Sequence, residues 1–433
     1  MHYYSTLNKN NKVGFREAVI EGLPGDNGLF MPSEISKLPS EFIQNLPDLP
    51  LQEIGFQVLN PFVNKEIPET TLRNIINKTL SFDFPLVEID NNTFALELYH
   101  GPSYAFKDVG AKFLAQCLDY FYRDADEKCT ILVATSGDTG GAVAAAFSET
   151  ENIEVIILYP SGKVSDLQEK QLTTYEKNVT ALEIAGDFDD CQRLVKSAFL
   201  DEELRKKIQI SSANSINIAR FLPQAIYYFV PFQIFGEEQS IAFSVPSGNY
   251  GNLTAGLIAQ KMGLPISSFI ASANRNDAVP RYLFSGNYEP KPTIPTISNA
   301  MDVGAPSNFQ RMLDLYDKGH DKMKKAIKGY SFTDEQTLQI MQNVYKEFDY
   351  LLDPHGAVAY GGLKEYLKTA NKNEIGVLLE TAHPCKFMET VKKVSKEDIY
   401  PDSASQFLNK EKKSIKMTAD YNDFRSLLLK KSN

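Results

Sequence analysis

Residues 130–147 read TILVATSGDTGGAVAAAF. A short run of aliphatic and β-branched residues is followed at once by a turn of glycine, hydroxyl and carboxylate residues, and then by an alanine-rich stretch of helical period. Apolar run, turn and helix recur along the chain: FALELY (94–99) then 106–122, VIILYP (155–160) then 164–175, and VTALEIA (179–185) then 188–199. IAFSVP (241–246) with a helix from 251, SFIASA (268–273), and EIGVLLE (374–380) with a helix from 385 continue the pattern. Runs that are apolar throughout, rather than alternating, belong to strands buried on both faces, which is the condition of parallel sheets covered by helices. The fold class expected is therefore α/β. A long apolar helix is expected over 216–235. Residues 1–90 lack the alternation and read mainly as helices and turns broken by proline, as at Pro24, Pro47 and Pro61.

The bulk properties set limits. At 433 residues the chain is long enough for two or three domains. With 45 Lys and Arg against 55 Asp and Glu, the formal charge is −10, which argues against a general nucleic-acid or anionic-membrane role, since both need a basic face. The four cysteines, Cys117, Cys129, Cys191 and Cys385, show no CxxC spacing, so reduced and buried thiols are expected. The first residues, MHYYSTLNKNNK, have no apolar signal core, and no apolar run approaches the ~20 residues of a membrane span. The expected compartment is the cytoplasm.

In α/β folds, ligands sit at the turns that follow the strands. Two such turns stand out. Ala134 to Gly141, with Thr135, Ser136 and Thr139, offers hydroxyls and backbone N–H groups at a helix start. It reads either as an anion site or as an ordinary helix cap. Val245 to Asn252 brackets a second turn with Gly248 and Gly251, either a phosphate cradle or a tight turn without a ligand. It is neither a Walker loop nor a GxGxxG dinucleotide fingerprint, which sets aside a nicotinamide dehydrogenase. Between the first strand and its helix lies Ser103-Tyr104-Ala105-Phe106-Lys107-Asp108. A lysine at a helix start meets the positive end of the dipole, and apolar neighbours desolvate it. Both favour the neutral amine that imine chemistry needs. The competing reading is a surface lysine paired with Asp108.

Taken in order, Ser103–Asp108, Thr135–Gly140 and Pro246–Gly251 resemble the fold-type II pyridoxal-phosphate enzymes, and more narrowly the threonine synthase family of the long bacterial and fungal type. Asn27-Gly28-Leu29-Phe30-Met31-Pro32, Ser211–Asn217, Ser298–Val303 and Thr381–Phe387 fit as well, so the likeness runs from about residue 3 to about 395.

The resemblance implies a tryptophan synthase β-like fold. It would have two domains of parallel-rich sheets flanked by helices and a mainly helical N-terminal domain (1–90). A large cofactor-binding domain would take 91–111 and 210–400, a small α/β domain 112–209, and a helical tail 401–433. It implies a carbon–oxygen lyase that turns O-phospho-L-homoserine and water into L-threonine and phosphate with pyridoxal 5'-phosphate. Lys107 would be the Schiff-base lysine and general base. Gly248, Asn249, Tyr250, Gly251 and Asn252 would hold the cofactor phosphate, Thr381 its pyridine nitrogen, and Asp138 would lie near the ring hydroxyl. Ser103, Thr135, Ser136 and Thr139 would bind substrate, the loop at its carboxylate. Lys112, Lys163, Asn214, Ser215, Asn217 and Arg220 are candidates for the leaving phosphate. His100, His355 and His383 carry no metal-ligand spacing, and no metal is implied. A monomer or homodimer is expected, with no nucleic-acid or membrane partner. The alternatives are another fold-type II lyase, such as a serine/threonine dehydratase, and a non-catalytic cofactor-binding homologue.

Overall fold

The computed structural model describes residues 1–125, 128–175 and 177–431. Its centre is a six-stranded sheet in the order Ile327–Ser331, Ile266–Ala273, Ile241–Pro246, Ile375–Glu380, Thr93–Glu97, Leu86–Asp90, with only the last pair antiparallel. A second, wholly parallel sheet runs Ile415–Thr418, Val179–Ala185, Ile153–Pro160, Cys129–Ala134, Gln209–Ser212. The central strands Cys129–Ala134, Ile241–Pro246 and Ile375–Glu380 are buried along their whole length, as their unbroken apolar runs require. The α/β expectation with two parallel-rich sheets holds.

Near the N-terminus, four helices, Phe15–Glu21, Ser40–Gln44, Leu51–Val63 and Glu69–Thr79, pack beside a small antiparallel sheet of Tyr3–Ser5, Lys12–Val13 and Phe30–Pro32. The mainly helical reading of 1–90 misses this sheet. It also misses Leu86–Asp90, which pairs with Thr93–Glu97 at the edge of the large sheet.

Two further expectations are corrected. The long helix over 216–235 is broken into Ile218–Phe221, a 3-10 stretch Leu222–Tyr228, and Phe229–Phe235. Pro223 opens the 3-10 stretch and removes a donor that a continuous helix needs. The tail 401–433 is not only helical. Ile415–Thr418 adds a parallel strand beside Val179–Ala185, and the closing helix Tyr421–Lys431 buries Phe424 and Leu428 against Leu182, Ile184 and Leu194. Lys412 anchors the entry, 2.6 Å from Glu169 and 2.8 Å from Glu183. The strand is short and mostly exposed, so its sequence carries no apolar run to announce it.

All four cysteines are free and buried. Among the described residues, no helix is long and apolar enough to cross a membrane.

Because Phe424 is fully buried in the small-sheet core, Phe424→Ala is expected to destabilise the fold by about 3–5 kcal/mol, lowering the urea midpoint. A loss under ~1 kcal/mol would show that the tail merely lies on the surface.

Candidate active site

A cleft of about 410 Å³ opens between the carboxyl ends of the two sheets. Its walls are the turns that follow the strands ending at Ala134, Ser212, Pro246 and Glu380, together with the start of the helix Lys107–Tyr122. A wider, more open groove beside Ser148, Tyr175 and Lys410 holds none of these groups.

Lys107 begins its helix and reaches into the cleft with its side chain 17% exposed. Its loop is stitched to the segment after Glu380: Phe106 N–H donates to the Thr381 carbonyl at 2.9 Å and His383 N–H to the Tyr104 carbonyl at 3.0 Å. The pairing of Lys107 with Asp108 on the surface is not what the fold makes. Asp108 is buried, accepts the Ser103 N–H at 2.9 Å, and burial pushes its carboxyl up to about 6. Lys107 instead faces Asp138, Nζ to Oδ2 3.5 Å. Burial pushes the lysine amine below its ordinary value. Asp138 opposes that fall, while Lys386 and Arg220 add to it.

Asp138 opens the helix Asp138–Phe147 and is itself buried. Burial alone would raise its carboxyl, but Lys386, Lys107 and Gln168 hold it well below the usual carboxylate range. Gly137, at φ 134°, makes room for this arrangement: a Cβ there would lie 2.4 Å from the Gln168 side chain. Thr135 Oγ1 accepts the N–H groups of Gly137 and Gly140 at 3.0 and 2.9 Å, so this hydroxyl acts as an internal cap. Thr135, Ser136 and Thr139 all line the cleft.

The second turn is held open from within. Asn252 accepts from Ser247 Oγ and Leu253 N–H, both at 3.0 Å, and donates to the Pro246 carbonyl at 2.8 Å. Tyr250 takes the left-handed conformation at φ 60°. Among the described residues, no acceptor meets the N–H groups of Gly248, Asn249, Tyr250 and Gly251, and all four residues line the cleft. Over them lies the turn Asn299–Met301, so close that a Cβ on Gly248 would stand 2.8 Å from Met301 Cα and 2.9 Å from the Ala300 carbonyl oxygen. His355 holds that turn: its ring accepts Ala300 N–H at 3.2 Å and meets Asp353 at 2.7 Å on the other side. Asp302, whose carboxyl burial pushes up to about 6, ties the same segment to Thr296 and Asn274.

Asn214, Ser215, Arg220 and Thr381 also line the cleft. Arg220 is buried, donates from Nη1 to the Ala213 carbonyl, and has no partner at Nε. Four expected substrate contacts are not brought to this wall. Lys163 lies exposed on the loop after Ile153–Pro160. Lys112 turns away to Ser81 Oγ at 2.9 Å. Asn217 is consumed as a helix cap, bonding Val19 and Ser212 carbonyls and Ala219 N–H, each at 3.0 Å. Ser103 lies beneath the loop, where its carbonyl takes a hydrogen bond from Lys386 at 2.7 Å. His100 pairs with Glu97 at 2.7 Å and His383 caps the turn Pro384–Phe387, where burial pushes its ring down to about 4.

Among the residues that sequence reasoning passed over are Lys386 and Gln168, which bind Asp138, and Gln192 and Lys291, which line the cleft. A lone lysine between Cys385 and Phe387, just past a buried strand, is the signal that was available.

The four free N–H groups and the adjacent, largely enclosed amine suit an anionic carbonyl cofactor, and the comparisons agree. Residues 83–380 match the model of pyridoxal-phosphate dependent enzymes, 2–80 that of the threonine synthase N terminus, and 356–428 that of the threonine synthase C-terminal region. Threonine synthase of Haemophilus influenzae is 45% identical over 99% of this chain and 100% of its own length. That of Escherichia coli is 41% identical over 99% of each. The crystal structure of threonine synthase from Escherichia coli superposes with a TM-score of 0.92, covering both chains completely at 40% identity. The pyridoxal-phosphate-bound threonine synthase of Brucella melitensis superposes at 0.94 with 34% identity, again over both whole chains. The chain belongs to the threonine synthase family of pyridoxal-phosphate-dependent enzymes.

Proposed function

We propose that this cleft converts O-phospho-L-homoserine and water to L-threonine and phosphate, with Lys107 carrying the cofactor and moving the substrate's protons. The observation that supports it most is the pairing of a largely enclosed lysine, depressed below its ordinary basicity, with a turn whose four N–H groups have no acceptor of their own. The donors suit a phosphate monoester, and the helix Gly251–Lys261 adds its positive end. Gly248 to Asn252 would hold the cofactor phosphate, Thr381 would meet the ring nitrogen, and Asp138 would lie by the ring hydroxyl.

Bound there, pyridoxal phosphate supplies an electron sink for charge developing on the substrate carbons. The remaining work falls to the chain. Lys107 Nζ takes the α-proton, gives it up before it takes a β-proton, and returns protons to the γ- and α-carbons as phosphate leaves and water adds at the β-carbon. Each removal requires the amine in its neutral form. The loop Thr135–Thr139 takes the substrate carboxylate with its hydroxyls. Asn214, Ser215 and Arg220 take the leaving phosphate. The unpartnered Nε of Arg220 supports that role, because a buried donor without an acceptor is costly unless a ligand supplies one. Thr381, being neutral, leaves the ring nitrogen less firmly protonated than an aspartate would, which favours elimination and replacement over transamination. The turn Asn299–Met301 above Gly248 helps to exclude water.

The units proposed at 1–90, at 91–111 with 210–400, and at 112–209 would meet at a cleft that closes between the two sheets, but two of their bounds need moving. The bound 111/112 cuts the helix Lys107–Tyr122, and 209/210 cuts the strand Gln209–Ser212, which pairs with Cys129–Ala134 in the smaller sheet.

Lys107→Ala is expected to cut phosphate and threonine release by about 10³-fold or more. Unchanged turnover would remove Lys107 from the mechanism, and ammonia from serine without phosphate from phosphohomoserine would make the enzyme a dehydratase. Gly248→Ala forces the turn against the Met301 backbone. It is expected to cost about 1–3 kcal/mol of cofactor affinity, or roughly 5- to 150-fold in Kd by titration of the cofactor-free protein. An unaltered Kd would mean that the phosphate is held elsewhere.

A further inference from the structure

We infer that Lys386 is a positioning residue of the reaction: its fixed ammonium occupies Asp138, so that Lys107 is left free to lose its proton. Lys386 is wholly shielded from water, with Nζ 2.8 Å from Asp138 Oδ1, and it donates to the Ser103 carbonyl at 2.7 Å. Lys107 stands farther off, 3.5 Å from the other oxygen of the same carboxylate. Two lysines thus share one buried anion, and the closer of them is the one that does not face the cleft.

Position explains the division of labour. Lys386 is set in the turn Pro384–Phe387, which His383 caps, and the Phe387 ring packs on His355 with centroids 4.8 Å apart. Its two acceptors come from different segments, the lysine loop at Ser103 and the helix start at Asp138. Gln168 Nε2 holds the same Asp138 oxygen at 2.9 Å. Lys386 therefore has nowhere to go, whereas Lys107 retains some freedom. A buried carboxylate draws strongly on whatever cation is near. With Lys386 removed, the cation left for Asp138 is Lys107, and the pair would hold the amine protonated.

Removing Lys386 also takes a cation away from Asp108, His383 and Cys385, while Arg220 stays beside Lys107. Lys107 faces Asp138 and Arg220, and Lys386 faces Asp138, Asp108, His383 and Cys385. Of these, Asp138 is the group both lysines bind directly.

The inference rests on Lys107 being the working amine, but its proton can be read without that assumption. In the full-length, cofactor-free protein, competitive labelling with acetic anhydride across pH, followed by mass spectrometry of the Lys107 peptide, gives the pH at which the amine becomes free. K386M is expected to move that midpoint up by about one pH unit or more, and K386R to leave it near the wild-type value. D138N/K386M, which removes the carboxylate as well, is expected to bring it back to the wild-type value or below. In the loaded enzyme, the acid limb of kcat should shift upward with the same sign, with activity recovering at high pH. A role confined to packing would lower the rate equally at all pH values. If K386M does not fold, K386Q, which keeps a donor for Ser103, takes its place with the same expected shift. A midpoint unchanged in the neutral variant, or a shift that persists in the double variant, overturns the inference. Loss of turnover in Lys107→Ala is a separate result that neither outcome predicts.

Discussion

A carboxylate shielded from water has to be neutralised where it sits, and Asp138 is such a group. Its partners come from well-separated parts of the chain: Lys107 from the start of one helix, Gln168 from the helix Asp166–Thr173, Lys386 from the turn after the strand Ile375–Glu380. Each can arrive only if its own loop is folded correctly, so the buried anion checks the register of the cleft. The stitching of Phe106 to Thr381 and of Tyr104 to His383 serves the same end through the backbone. Charge and main chain agree on one arrangement.

That arrangement depends on parallel strands. Their carboxyl ends deliver the turns after Ala134, Ser212, Pro246 and Glu380 to a common place, and the helices that follow point their N-termini inward. Glycine enters where bulk is forbidden, and at Gly137 also where the backbone takes φ 134°. Gly137 has the Gln168 side chain against it, and Gly248 has the backbone of Met301. The cradle at Gly248–Gly251 is stiffened by Asn252, whose amide is spent inside the loop. The N–H groups are thereby left with no internal partner, the state an anion site has to be in before its ligand arrives.

Much of this was legible in advance because it is local. An all-apolar run followed by glycine and hydroxyl residues marks a buried parallel strand and its turn, and the strands ending at Ala134 and Pro246 bear that out. Lys107 at a helix start, with Ala105 and Phe106 before it, could be read as desolvated, and its side chain is mostly enclosed. Errors arose where a residue's use depends on distant parts of the chain. Asn217 has the right chemistry for an anion but is claimed by Val19, far away in sequence. Lys163 follows a strand as a ligand residue should, yet its loop stays exposed. The apolar stretch over 216–235 had the period of one helix, and its prolines divided it.

By itself, the sequence determined the α/β layering, the two glycine turns and the lysine that lies between a strand and a helix, because hydrophobic period and turn chemistry act over a few residues. Only the tertiary structure decided which cation meets Asp138 most closely, which polar residues reach the cleft wall, and that Ile415–Thr418 completes the small sheet. Those outcomes rest on electrostatic and packing contacts between segments tens to hundreds of residues apart. The strength of such contacts is set by burial, and burial exists only once the chain has closed on itself.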